Sequence, residues 1–140
     1  MECRSNTSPV LCLGLTPACQ RTMVFPHFRV GEVNRAVSAD VAVGGKAVNT
    51  GLALARLGDR CVVTGLNGGD TGRLVARYLA ARGVACAFTR TPGPTRTCTT
   101  ILDNAGGEAT ELVEEAPRPS RDLLRQFEAR GCALLRHAGM

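Results

Sequence analysis

Short apolar runs alternate with amphipathic segments along this chain, and no other feature limits the possible folds as much. Buried strands are predicted at Val10 to Leu15, Arg60 to Leu66 and Val84 to Thr89. Helices are predicted at Lys46 to Leu57 and Thr71 to Arg82. Parallel strands need crossovers of about this length. The sequence therefore predicts an α/β fold built on a parallel sheet.

Two further pairs of segments are half polar and differ from the buried runs. Met23 to Phe28 and Val37 to Val43 are β-prone, and a polar turn separates them. Arg96 to Asp103 and Glu108 to Glu115 alternate on either side of Asn104-Ala-Gly-Gly107, which is a hairpin signal. These pairs predict a small antiparallel sheet, over about 23–43 and 96–115, that projects from the main one.

The two ends of the chain have different characters. Residues 1–9 are polar, and we expect a disordered extension there. Ser120 is a good N-cap for a helix over Arg121 to Arg130, with Phe127 pointing inward. Cys132 to Met140 is predicted to begin another apolar segment that nothing later in the sequence covers. Because exposed apolar edges associate, we expect poor solubility or oligomers.

Composition excludes several classes of protein. The 140 residues are 44% hydrophobic, which is enough for one buried core. No stretch approaches the roughly 18 apolar residues of a membrane span, so we expect a cytoplasmic protein with no membrane partner. Seven cysteines without a CxxC pair argue against a zinc site and a secreted disulfide framework. We interpret most of them as small buried apolar groups.

The net charge of +5 comes almost entirely from arginine, with Lys46 as the one lysine. A basic chain can bind nucleic acid or an anionic small molecule. The arginines are spread singly, however, and one Tyr, four Phe and no Trp offer little surface for base stacking. We therefore do not expect a nucleic-acid partner.

The most informative motif for chemistry is Val43-Gly-Gly-Lys-Ala-Val-Asn49, where a strand meets two glycines and then a helix. Gly44 and Gly45 would let the backbone approach a ligand closely. The helix N-terminus favours an anion, Lys46 adds a full positive charge, and Asn49 lies one turn further on. The motif fits neither a P-loop nor a GxGxxG fingerprint. On the spacing alone, an ordinary glycine turn with a solvated lysine is the favoured interpretation.

Other ionisable residues give weaker signals. Asp70 precedes a helix, and an N-cap is the favoured interpretation over a ligand contact. His27 and His137 have no partner pattern for a catalytic triad. The acidic residues of the last predicted strand are interpreted as solvated: Glu111, Glu114 and Glu115.

Five stretches, in order, resemble the N-terminal half of the PfkB carbohydrate kinases, a ribokinase-like family. The resemblance is greatest to the branch of 1-phosphofructokinases and tagatose-6-phosphate kinases, and it covers about residues 10–130. The stretches are Leu15 to Thr22, Val30 to Arg35, Gly44 to Asn49, Gly65 to Gly72, and Thr95 to Thr97.

The resemblance implies a ribokinase-like core with a β lid, and transfer of the ATP γ-phosphoryl group, with Mg²⁺, to a phosphosugar hydroxyl. By the same resemblance, Gly44, Gly45 and Lys46 would contact the phosphosugar. Asn49 would bond a sugar hydroxyl. Arg96 would hold the substrate phosphate, for which guanidinium is well suited. The lid strands would also provide the contact of a possible homodimer.

The chain departs from the family's pattern at several positions. Thr16 replaces an asparagine, Ala47 replaces a glycine, and Gln20 stands where the family has a sugar-binding aspartate. Gln20 can still bond a hydroxyl, but it carries no charge. The family's catalytic aspartate lies in a glycine-alanine-glycine-aspartate motif that this sequence lacks. We therefore expect residues 10–140 to form the N-terminal part of a longer kinase domain, with no catalytic base and no activity alone.

Two functions remain open at this point. The first is phosphorylation of a sugar phosphate by an enzyme of which this chain is a part. The second is a noncatalytic module that binds a sugar phosphate, or associates through its lid strands, without transferring phosphate.

Overall fold

The computed structural model describes residues 8–136. Strands and helices alternate there largely as the sequence predicts. In chain order the elements are β1 (Val10–Leu13), β2 (Ala18–Phe25), β3 (Ser38–Gly44), α1 (Lys46–Arg56), β4 (Cys61–Thr64), β5 (Leu66–Asn67), α2 (Gly69–Ala80), β6 (Ala85–Cys86), β7 (Thr89–Arg90), β8 (Thr97–Asp103), β9 (Glu108–Val113) and α3 (Arg121–Leu135).

A parallel sheet forms the centre of the molecule, as expected for an α/β fold. Its strand order is β1-β4-β6. The short strands β5 and β7, which follow β4 and β6 in the chain, pair parallel with each other. Apolar side chains of the two flanking helices and of β4 are almost fully buried: Val48, Val63, Val75 and Leu79. Within residues 8–136, no helix combines the length and the apolar character needed to cross a bilayer.

Helix α1 ends at a glycine. Gly58 has a φ of 85°, and its N–H donates to the carbonyl of Ala55 at 3.1 Å. The next N–H, of Asp59, donates to Leu54 at 3.0 Å, which completes a left-handed C-terminal cap. Helix α2 starts at Gly69, before the predicted start at Thr71.

The two predicted hairpins are both antiparallel, and together they form one sheet of order β3-β2-β8-β9, here called the lid sheet. The hairpins join through β2 and β8, which run parallel from Cys19 opposite Thr97 to Phe25 opposite Asp103. The lid sheet is consequently mixed rather than purely antiparallel. Its central pair anchors the projecting strands to one another along seven residues.

Helix α3 begins as predicted and ends later. The Ser120 hydroxyl accepts a hydrogen bond from the N–H of Leu123 at 3.2 Å, and Phe127 is buried. The helix continues through Gly131 to Leu135, so the apolar segment predicted from residue 132 starts as its last turn. A Cβ at Gly131 would lie 3.6 Å from Leu13, which shows how closely α3 packs on β1. Residues 137–140, and residues 1–7 of the predicted extension, lie outside the described residues.

The cysteines behave as small apolar groups, as the sequence suggests. Four of those described are buried: Cys12, Cys19, Cys61 and Cys98. Half-buried Cys86 has its pKa raised to about 11, chiefly because burial disfavours the thiolate. Since the thiolate is the reactive form, burial makes this thiol a poor nucleophile.

Strand β1 has an exposed apolar edge. Within residues 8–136, only β4 pairs with it, so the backbone groups on its other side have no strand partner. Val10, Leu13 and Leu15 are 41%, 51% and 40% exposed. An open edge with apolar side chains is a template for pairing with another chain.

We expect the chain to self-associate through this edge. The substitution Leu13→Lys is expected to shift the equilibrium toward the monomer, because a charge on an edge strand opposes pairing. Light scattering across a concentration series measures the shift. Val33→Lys is the matched control, since Val33 is 81% exposed on a loop away from β1. A wild-type chain that stays monomeric at high concentration would contradict this expectation.

Candidate functional site

A cavity of about 670 Å³ opens at the start of α1. The ends of β1 and β4, the first turn of α1 and one strand of the lid sheet form its wall. Four residues that the sequence singled out line it together: Gly45, Lys46, Asn49 and Arg96. Residues as far apart in the sequence as Gly45 and Arg96 therefore lie around one cavity, as the predicted anion site requires.

The diglycine bend is built so that α1 begins directly at the cavity. Gly45 is the N-cap of α1 with a φ of 110°, and a Cβ there would lie 3.0 Å from the carbonyl oxygen of Thr16 and 3.1 Å from Pro17. Only glycine fits this conformation without strain. No side chain caps the helix, so the amides of its first turn keep their capacity to bind a ligand. The helix dipole makes this end positive.

Lys46 and Asn49 present their polar groups from the first turn of α1. Both side chains are exposed, and neither hydrogen-bonds nor ion-pairs with another residue in the part of the chain the structure describes. The carbonyl of Lys46 accepts a hydrogen bond from the Thr50 hydroxyl at 2.9 Å, which fixes the backbone but leaves the ammonium group free.

Arg96, the residue directly before β8, lines the cavity. Its Nη1 donates to the carbonyl of Glu114 at 3.3 Å, and its carbonyl accepts from the N–H of Cys19 at 2.9 Å. The Nε atom of Arg96 is buried and has no hydrogen-bond partner among residues 8–136. Such a donor costs free energy when it is left unpaired.

Gln20 and Gly44 lie beside the cavity and are not part of its wall. The side-chain Nε2 of Gln20 donates to the Thr100 hydroxyl at 2.8 Å. Its Oε1 lies 3.6 Å from where a Cβ of Gly44 would be. The structure therefore groups these two predicted site residues with each other, on the neighbouring strands of the lid sheet.

The three acidic residues interpreted as solvated are all exposed, as predicted: Glu111, Glu114 and Glu115. Glu111 also lines the cavity, which the sequence did not predict. Glu114 is exposed, yet its Oε2 accepts a hydrogen bond from the N–H of Thr97 at 2.7 Å and so holds the start of β8. Alternation alone shows which residues share a face of β9. Only the pairing of the lid sheet shows that the face with Glu111 is turned to the cavity.

Asp70 takes no part in the site. The N-cap of α2 is Gly68, so the interpretation of Asp70 as a cap is wrong. Asp70 lies in the first turn instead, where its carboxylate suits the positive end of the helix dipole and pairs with exposed Arg73. Within residues 8–136, no three His, Cys, Asp or Glu side chains are grouped closely enough to hold a metal ion.

Comparisons with known proteins find carbohydrate kinases. The family model of pfkB family carbohydrate kinases matches residues 10–130. A 1-phosphofructokinase from Rhodobacter capsulatus is 37% identical over 106 residues, which cover 76% of this chain and 34% of that protein. The chain thus spans about a third of the length of this curated relative.

Solved structures share the fold over most of the chain. A possible 1-phosphofructokinase from Thermotoga maritima superposes with a TM-score of 0.84 at 26% identity, covering 92% of this chain and 42% of that one. Phosphofructokinase-2 from Escherichia coli, in complex with fructose-6-phosphate, gives a TM-score of 0.84 at 24% identity, covering 91% and 42%.

Proposed function

The chain belongs to the pfkB family of carbohydrate kinases, and from that premise we propose that it provides the phosphosugar site of an ATP-dependent hexose-phosphate kinase similar to 1-phosphofructokinase. The observation that carries the proposal is that Lys46, Asn49 and Arg96 share one cavity with the start of α1. The 37% identity to a 1-phosphofructokinase supports a phosphosugar as the ligand.

The charges of the cavity suit a phosphate monoester. Lys46 supplies an unpaired ammonium, and Arg96 supplies a guanidinium whose Nε lacks a partner among the described residues. A phosphate oxygen could accept from both, and the uncapped amides of α1 add further donors. Asn49 lies one turn along α1, where its amide can bond a sugar hydroxyl. These groups would orient the acceptor, which is a large part of phosphoryl-transfer catalysis.

ATP and Mg²⁺ enter this proposal through the family alone. ATP supplies the phosphoryl group when it is bound. The residues described here lack a grouped set of metal ligands, so no step is assigned to a metal in this chain. The remaining parts of the proposal are a second copy bound through the lid sheet, and a cytoplasmic location.

One observation favours the noncatalytic alternative for the chain by itself. The sequence contains no glycine-alanine-glycine-aspartate motif, which the resemblance assigns to the catalytic base. A chain with the phosphosugar site and without that base would bind the sugar phosphate and leave it unchanged. Both proposals therefore require the same binding event.

Calorimetric titration of the chain with fructose 1-phosphate tests that event. We expect Lys46→Ala and Arg96→Ala each to weaken binding by about 10-fold or more, because hydrogen bonds to charged groups contribute about 1.5–3 kcal/mol. Arg73→Ala is the matched control, since exposed Arg73 lies on α2 outside the cavity wall. Equal binding of fructose without the phosphate, or equal affinity in all variants, would contradict the proposal.

A further inference from the structure

We propose that Glu111 determines specificity in this cavity by accepting a hydrogen bond from a hydroxyl of the bound sugar phosphate and by repelling a second phosphate group at that end. This inference rests on the proposed function of the cavity as a phosphosugar site. It gives a ligand-binding role to a carboxylate on the lid sheet, away from the motifs that carry the family resemblance.

The placement of Glu111 supports this role. It lies in the middle of β9, the outermost strand of the lid sheet, and lines the same cavity as Lys46 and Arg96. Within residues 8–136, no side chain or backbone group forms a hydrogen bond or ion pair with its carboxylate. Its two oxygens therefore keep their full capacity to accept hydrogen bonds from a ligand.

The charges around the cavity are arranged asymmetrically. Lys46 at the start of α1 and Arg96 before β8 are cations, while Glu111 on β9 is an anion on the same wall. A phosphate dianion is attracted by the two cations and repelled by the carboxylate. A sugar hydroxyl can donate to a carboxylate in a charge-assisted hydrogen bond. The wall thus fits a ligand that carries both a phosphate and hydroxyl groups.

Among the described residues that line the cavity, Glu111 is the acidic one. The register of the lid sheet places Thr100 opposite Glu111. The Thr100 hydroxyl already accepts from the neutral amide of Gln20. The lid sheet therefore presents its negative charge to the cavity from β9, whereas Gln20 on β2 is neutral and already bonded.

The test compares Glu111→Gln with the wild-type chain by calorimetric titration with three probes: fructose 1-phosphate, inorganic phosphate and fructose 1,6-bisphosphate. The glutamine keeps the size of the side chain and removes its charge. We expect fructose 1-phosphate to bind about 10-fold more weakly, because a charge-assisted bond is lost. Inorganic phosphate is expected to bind as well or about twofold better, and the bisphosphate several-fold better, because a repulsive charge is gone.

Glu108→Gln is the matched control, with the same charge change on the same strand. It lies three residues from Glu111, so its side chain is on the opposite face of β9. We expect the control to leave all three affinities unchanged. Circular dichroism of both variants checks that these exposed substitutions leave the fold intact.

Two outcomes overturn the inference, and they differ from a failure of the proposed function. If Glu111→Gln leaves all affinities unchanged, or weakens phosphate and sugar phosphate equally, Glu111 has no specific role. If the wild-type chain binds neither fructose 1-phosphate nor phosphate, the proposed function fails and this inference fails with it. If Lys46→Ala weakens phosphate binding while Glu111→Gln changes no affinity, the cavity is the anion site and only the role of Glu111 is lost.

Discussion

Replacing Gly65 by alanine is expected to destabilise the fold by about 3 kcal/mol or more, since overpacking in a rigid core costs about 1–3 kcal/mol and occasionally more. A Cβ at this buried position would lie 2.2 Å from the carbonyl oxygen of Gly14 and 3.5 Å from Pro17. The backbone cannot easily move away, because the Gly65 carbonyl accepts from the N–H of Thr89 at 2.8 Å. Urea unfolding followed by circular dichroism measures the loss.

Gly93→Ala is the control for this prediction. Nothing lies within 4 Å of a Cβ at Gly93, and its φ is not in the left-handed region. We expect its free energy of unfolding to stay within about 0.5 kcal/mol of the wild type, as for most surface substitutions. An unchanged urea midpoint for Gly65→Ala would show that β1 and β4 can separate where they now meet at Gly14.

The 140-residue chain, mixed with MgATP and fructose 1-phosphate, is expected to release ADP no faster than ATP hydrolyses by itself. The reason is chemical: in-line transfer needs nucleotide, metal and positioned hydroxyl together. The sequence lacks the glycine-alanine-glycine-aspartate motif, and residues 8–136 contain no metal-ligand group.

A coupled assay for ADP checks this expectation, with the 1-phosphofructokinase of Rhodobacter capsulatus as the active control. The same preparation of the chain should bind fructose 1-phosphate in calorimetry, which shows that it is folded. Robust turnover by the chain would contradict the expectation and place a base and a nucleotide site within these residues.

The sequence predicts local structure well where one residue decides it. The left-handed conformation of Gly58 ends α1 because glycine adopts it without strain, and the Ser120 hydroxyl caps α3. Alternating polarity likewise predicts the hairpin of β8 and β9, and β-prone residues on either side of a polar turn predict that of β2 and β3. Each of these signals depends on residues close together in the chain.

Features that depend on distant pairing were not predictable in this way. The parallel pairing of β2 with β8 joins residues almost 80 positions apart, and no local pattern specifies it. The cavity-facing position of Glu111 follows from that pairing, so the sequence interpretation left it in solvent. The motif at Gly45 and Lys46 was recognisable because its residues are adjacent in the sequence. The opposite wall of the cavity is formed by residues from other strands.

Three strands of the lid sheet begin or end beside the cavity, and this has a mechanical consequence. Strand β2 starts after Pro17, β3 ends at Gly44 and β8 starts after Arg96, so all three strands share a base next to the cavity. The eight residues of β2 extend about 25 Å from that base, at a rise of about 3.3 Å per residue. A hinge rotation of about 10° there would sweep the far tip through about 4 Å over that length. Arg96, at this base, would move little. Glu111, partway along β9, would move toward the cavity or away from it.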